Sequence, residues 1–206
     1  MAPDEGTCRT MTATTLKRDD AVLVVVDVQE RLAASMARRP DVVRRTALLA
    51  RAARVVGMPV VVTRQYPRGL GDTEPALIAV FDEIREAGAS VTDVDKVSFD
   101  CFAEPGFSAA IESLGRSQLL LAGMETHICV AQTALAARGR GMDVHVVADA
   151  CCSRDEEHRT LALARLAHAG CVVTTAESAA YELVGVAGTP EFKELLGAVK
   201  ACDSDG

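Results

Sequence analysis

Tryptophan is absent from this 206-residue chain, and aromatic residues make up only 3% of it. A protein that stacks bases on aromatic platforms needs more of them. Positive charge is also scarce: 22 Lys+Arg stand against 29 Asp+Glu, a formal net charge of −7. Binding to a phosphate backbone and docking on anionic lipid both draw on clustered cations, so neither nucleic acid nor a membrane is expected as a partner. No apolar run reaches the roughly 18 residues that cross a bilayer. The first 20 residues, MAPDEGTCRTMTATTLKRDD, lack the apolar stretch of a secretory signal. The seven cysteines form no C-x-x-C pair. An odd count without an export signal fits free thiols in a reducing cytoplasm, not a disulfide framework.

Apolar residues are plentiful, at 49%, and their arrangement is informative. At about 150 residues per domain the length favours one domain. It is expected over residues 19–200, with a flexible tail at 1–18 and another at 201–206. Short continuous apolar runs suit strands buried on both faces. Ala21–Val26, Pro59–Thr63, Gln118–Ala122, Met142–Ala148 and Cys171–Thr174 read this way, with Val91–Val97 as a more polar sixth. Helical spacing lies between them, over Val42–Val56, Ala76–Glu86, Phe107–Leu114, Val130–Arg138 and Asp155–Ala169. Two further helices, Glu177–Val184 and Glu191–Lys200, follow the last strand. This alternation predicts an α/β fold with a parallel sheet covered by helices on both faces. Ligands of such sheets sit beyond the carboxyl ends of the strands. The candidates are therefore Asp27, Gln29, Arg64–Tyr66, Lys96, Glu125–Cys129 and Asp149–Arg154.

Three of these are chemically distinctive. Cys129 opens a helix, where backbone N–H groups and the helix dipole favour a thiolate. A lysine such as Lys96 would lower the thiol pKa further, and a carboxylate such as Asp27 would accept its proton. The plain alternative stays open at this level, since a cysteine in an apolar stretch is usually core.

The stretches VVVDVQERL, DKVSFDCF and LLLAGMETHICVAQTALAARGRGMDVHVVADAC resemble, in that order, the three motifs of the isochorismatase-like cysteine hydrolases. The similarity runs over roughly residues 20–200. VTRQYPRGLG and LVGVAGTPEFKELL resemble the isochorismatase domain-containing subgroup in particular. The resemblance implies a three-layer α/β/α, Rossmann-like sandwich with a six-stranded parallel sheet. It implies a catalytic triad of Asp27, Lys96 and Cys129. It also implies a cis peptide between Met124 and Glu125, and an oxyanion hole made by the backbone N–H groups of Glu125 and Cys129. The implied reaction is hydrolysis of a small-molecule C–N bond (amide, ureide or carbamoyl) through a thioester on Cys129. No cofactor is implied, and related enzymes often form dimers or larger homo-oligomers, for which the C-terminal helices offer a contact.

The chain departs from one branch of that superfamily. Nicotinamidase-type members carry a D-x-H…H metal cluster after the second strand, where this chain reads Thr63-Arg64-Gln65-Tyr66-Pro67-Arg68. No metal site is expected there. Gln29, Arg64, Gln65, Tyr66, Phe99 and His127 are the candidates for substrate contact. Arg64 would meet a substrate carboxylate or a surface acid. Asp149 and Arg154 read as structural, and Asp100 stands where the subgroup usually has serine. The alternative function is a catalytically silent small-molecule-binding or interaction protein on the same fold. A phosphoacceptor domain fits poorly, because Asp27 is flanked by Val26 and Val28 and not by acids.

Overall fold

Each of the six apolar runs forms a strand in the computed structural model, which describes residues 15–204. In chain order the elements are β1 (Ala21–Val26), α1 (Glu30–Ala33), α2 (Arg39–Val56), β2 (Val60–Gln65), α3 (Pro67–Leu70), α4 (Pro75–Glu86) and β3 (Val91–Lys96). A short 3-10 turn (Cys101–Ala103), α5 (Pro105–Leu114), β4 (Gln118–Met124) and a π turn (Thr126–Val130) come next. The chain ends with α6 (Ala131–Gly139), β5 (Asp143–Cys152), α7 (Glu156–His168), β6 (Val172–Thr174), α8 (Ala176–Val184) and α9 (Pro190–Ser204).

The strands form one parallel sheet in the order β3-β2-β1-β4-β5-β6. The chain reverses its direction of build at β1, the central switch point where such sheets place ligands. All six residues of β1 are buried. Their side chains alternate between two core layers, as a pleated strand requires. Ala21, Leu23 and Val25 pack with α2, α4, α8 and α9. Val22, Val24 and Val26 pack with α5, α6 and α7. The expected three-layer sandwich is therefore the observed one. No helix among the described residues is long and apolar enough to cross a membrane.

Several boundaries differ from the sequence reading. Residues 15–18 are not a loose tail as far as they are described: Leu16 is buried, and the Lys17 N–H donates to Gln118 Oε1 at 2.8 Å. At the other end α9 continues to Ser204 and buries Cys202, so residues 201–204 extend the helix. β5 continues past Ala148 to Cys152, with a register shift against β4 between Leu121 and Gly123. Gly123 sits at that irregularity with φ 131°, and a Cβ there would lie 2.0 Å from the Val26 carbonyl oxygen. Only glycine permits this approach of β4 to the end of β1.

Candidate active site

Asp27 follows β1 directly. Its φ of 52° is left-handed, a region that few residues other than glycine adopt and that aspartate tolerates. Its N–H still donates to the Thr63 carbonyl at 3.1 Å, so the turn begins without losing contact with β2. The side chain is fully buried, and Lys96 Nζ lies 2.7 Å from Oδ2, with neither side chain exposed at all. Thr63 Oγ1–H donates to Oδ1 at 2.7 Å. Lys96 arrives from the end of β3 and donates hydrogen bonds to Gln65 Oε1 at 2.6 Å and to the Ser98 carbonyl at 3.2 Å. Burial, the largest single influence, works against its ammonium, but the Asp27 charge and hydrogen bond together with the neighbouring Cys101 and Cys129 hold the Lys96 pKa above its ordinary value.

Cys129 lies in the π turn that joins β4 to α6, a local geometry often found at functional sites. The Met124–Glu125 peptide just before it is cis. Cys129 is 5% exposed. Burial pushes its pKa well above the ordinary thiol range, and the Asp27 carboxylate pushes it further. The opposing pull of Lys96 is smaller than burial and the carboxylate charge. The sequence-based expectation of a resting thiolate is thus corrected. The lysine charge is directed at the aspartate, and the proton stays on sulfur until a base removes it. The Asp27 carboxylate that disfavours the thiolate is by its chemistry able to accept a proton.

Gln29 and Gln65, expected at the substrate, each brace the site by hydrogen bonds within the chain. Gln29 is fully buried. Its Nε2 donates to the carbonyls of Gln65 (3.1 Å) and Gly71 (2.8 Å), and its Oε1 accepts from the Gln65 N–H (2.7 Å). Gln65 in turn holds Lys96, and its Nε2 donates to the Val97 carbonyl at 2.7 Å. Arg64 is already answered by two acids, Asp95 at 2.7 Å and Asp72 at 2.8 Å. Tyr66 and Phe99 are exposed, at 55% and 53%, at the ends of β2 and just past β3. His127 Nδ1 is 2.9 Å from Ser153 Oγ, and its ring centroid is 4.9 Å from that of His158. Among the described residues no group of three or more His, Cys, Asp or Glu is placed to hold a metal ion.

The model of the isochorismatase domain matches residues 21–178. The chain belongs to the isochorismatase family. It is 38% identical over 186 residues to isochorismatase domain-containing protein 2A of Mus musculus, covering 88% of this chain and 84% of that protein. It is also 38% identical over 180 residues to isochorismatase domain-containing protein 1 of Danio rerio, covering 87% of this chain but only 61% of the longer relative. Among solved structures it resembles the MAR1 ribonuclease of Caenorhabditis elegans, with a TM-score of 0.80, 32% identity, and coverage of 91% and 93% of the two chains. It also resembles the Escherichia coli YcaC gene product, described as an octameric hydrolase of unknown specificity. The TM-score there is 0.77 and the identity 26%, with coverage of 95% and 92%. Membership in the isochorismatase family supports a hydrolase-type function.

Sequence reasoning missed three contributors to this isochorismatase-family site, Thr63, Cys101 and Thr133, while Arg154, read as structural, does brace it. Thr63 was legible in principle, since parallel pairing of β1 and β2 sets Val26 opposite Thr63 and so places it next to Asp27. Arg154 holds the turn before Cys129: its N–H donates to Glu125 Oε2 at 2.8 Å, and its Nε lies 3.2 Å from both carboxylate oxygens. Cys101 is a second buried thiol beside Lys96 and Asp27, raised to about 11 chiefly by burial, with Lys96 acting in the opposite direction. Thr133, one helical turn beyond Cys129, accepts the Cys101 N–H at 3.1 Å. Asp100, whose role the sequence left open, caps the 3-10 turn by accepting the Phe102 N–H at 2.9 Å. Asp149 accepts the Ala176 N–H at 2.8 Å and anchors α8.

Proposed function

We propose that this chain is a cysteine hydrolase that cleaves a C–N bond of a small amide, ureide or carbamoyl compound. The observation that carries the reading is a fully buried ion pair, Lys96 Nζ to Asp27 Oδ2 at 2.7 Å, whose carboxylate also acts on the Cys129 thiol. Asp27 takes the thiol proton as sulfur attacks the substrate carbonyl. Because the resting thiol is neutral, proton transfer accompanies attack. The backbone N–H groups of Glu125 and Cys129 receive the developing oxyanion, a contribution of about 10²–10³-fold per donor in comparable sites. Asp27 returns the proton to the leaving nitrogen, and the amine departs. Asp27 then activates water, which hydrolyses the thioester and regenerates the thiol. Lys96 keeps the carboxylate charged at rest and balances its charge through both steps.

The test is a screen of small amides, ureides and carbamoyl compounds for ammonia release, run on wild type and Cys129→Ala together. At least one class turned over by wild type and not by the variant is the expected result. Release that persists in Cys129→Ala refutes the nucleophile. A second reading, binding without turnover, is favoured by the protonated resting state of Cys129. It predicts ligand-dependent thermal stabilisation with no ammonia released by either protein. RNA belongs in the same screen, because one structural relative bears a ribonuclease name. The net charge of −7 speaks against it as substrate. By analogy with the octameric YcaC protein the chain forms a homo-oligomer, which light scattering checks.

A further inference from the structure

A cavity of about 500 Å³ opens beside α2, between it and the start of α4. It lies on the α2 side of the sheet: Ala47 and Val80 of its lining belong to the core layer of α2, α4, α8 and α9, whereas Cys129 belongs to the opposite layer. The volume falls within the range of small-molecule sites. Its walls combine two chemistries. Val43 and Val80 give an apolar surface, and Arg39, Arg44 and Arg51 supply three guanidinium groups against the single carboxylate of Glu74. With Glu74 pairing Arg39 and Asp41 pairing Arg44, one guanidinium charge, that of Arg51, is left unanswered at the cavity in a chain of net charge −7.

The three arginines are not equally committed. Arg39 is paired with Glu74 through Nε at 2.8 Å and Nη2 at 3.0 Å. Arg44 spends Nη2 on Asp41 at 2.7 Å, while its buried Nε–H donates to nothing. The Arg51 side chain makes no hydrogen bond or ion pair among the described residues. A buried donor without an acceptor is costly, and planar guanidinium groups suit carboxylates.

We infer that this cavity binds an amphipathic monoanion, a carboxylate on an apolar body of medium-chain fatty-acid size. The carboxylate takes the free donors of Arg51, and the apolar body lies along Val43 and Val80. This site is independent of the chemistry at Cys129.

Calorimetric titration with octanoate, octan-1-ol and sulfate tests it on the full chain. Octanoate is expected to bind saturably at one site. Arg51→Glu weakens it by about tenfold or more, as loss and reversal of a charge-assisted contact requires, and Arg51→Lys largely retains it. Octan-1-ol and sulfate, each offering half the chemistry, bind at least about tenfold more weakly. Because Arg51 has no partner to lose, Arg51→Glu should unfold at the wild-type temperature, which keeps the comparison valid. Equal binding by Arg51→Glu, equal binding of octan-1-ol, or no saturable octanoate binding overturns the assignment. So does a change in oligomer mass in Arg51→Glu without octanoate binding to wild type, which would give the cavity to a second copy of the chain.

Discussion

Replacing Lys96 with methionine isolates the energetics of the buried pair. Methionine keeps much of the bulk of the side chain and removes the ammonium. Asp27 is left in a fully buried position with the Thr63 hydroxyl at 2.7 Å as its remaining side-chain donor. Removing one partner of a buried ion pair typically costs about 3–5 kcal/mol, a large share of a total stability of ~5–15 kcal/mol. At about 2–4 °C per kcal/mol for a domain of this size, the melting temperature should fall by ~6–20 °C. Removing the second charge as well, in Asp27→Asn/Lys96→Met, leaves no unpaired ion and should recover more than half of that loss. The alkaline limb adds an independent check. The Lys96 pKa is raised above 10.5 in the folded chain. The native state therefore binds the proton more tightly than the unfolded state. The stability this supplies is complete below the unfolded value and is lost as pH rises through the folded one. Lys96→Met should remove that part of the alkaline loss. Urea denaturation at pH 7 and pH 11 for wild type, both single variants and the double variant measures all of this. A Lys96→Met protein as stable as wild type at pH 7, or a double variant no better than the single, would refute the reasoning.

Other consequences follow from single contacts. Thr63→Val removes a hydrogen bond to a buried carboxylate and should cost about 1.5–3 kcal/mol, read by urea denaturation. Asp27→Asn should lower two properties together: hydrolysis, by roughly 10²–10⁴-fold for want of the acid–base group, and alkylation of Cys129, because the acceptor of its proton is gone. Gly123→Ala drives a Cβ to 2.0 Å from the Val26 carbonyl oxygen, so the variant should be recovered only as unfolded or insoluble protein, seen by circular dichroism of any soluble fraction. Arg154→Ala removes a side chain that is 62% exposed but leaves the Arg154 N–H on Glu125, so thermal unfolding should register a loss below about 1 kcal/mol.

The sheet was legible because buried parallel strands are written as uninterrupted apolar runs, as in Ala21–Val26. The end of β5 was not, because Asp149 interrupts the run and the register shift against β4 leaves no trace in composition. Helices α1 and α3, of four residues each, are too short to show a period. At the site, Asp27, Lys96 and Cys129 stood out as reactive types at strand ends. Their surroundings were not readable, because they depend on partners distant in sequence. Arg64 meets Asp95 only because β2 and β3 pair there, and Glu125 meets Arg154 across 29 residues. The protonation of Cys129 was misjudged for a related reason. A helix start and a lysine are local signals, whereas burial and the direction of the lysine charge are properties of the assembled core.

Peptide mapping after timed exposure to iodoacetamide at pH 7 tests the central claim, that Asp27 makes one buried sulfur reactive. Cys151 is buried with a pKa of about 12, chiefly by burial, and its thiol donates to the Leu121 carbonyl, not to a carboxylate. The account predicts that Cys129 is alkylated at least about tenfold faster than Cys151 and the other described cysteines. Alkylation of Cys129 no faster than that of Cys151 would contradict it.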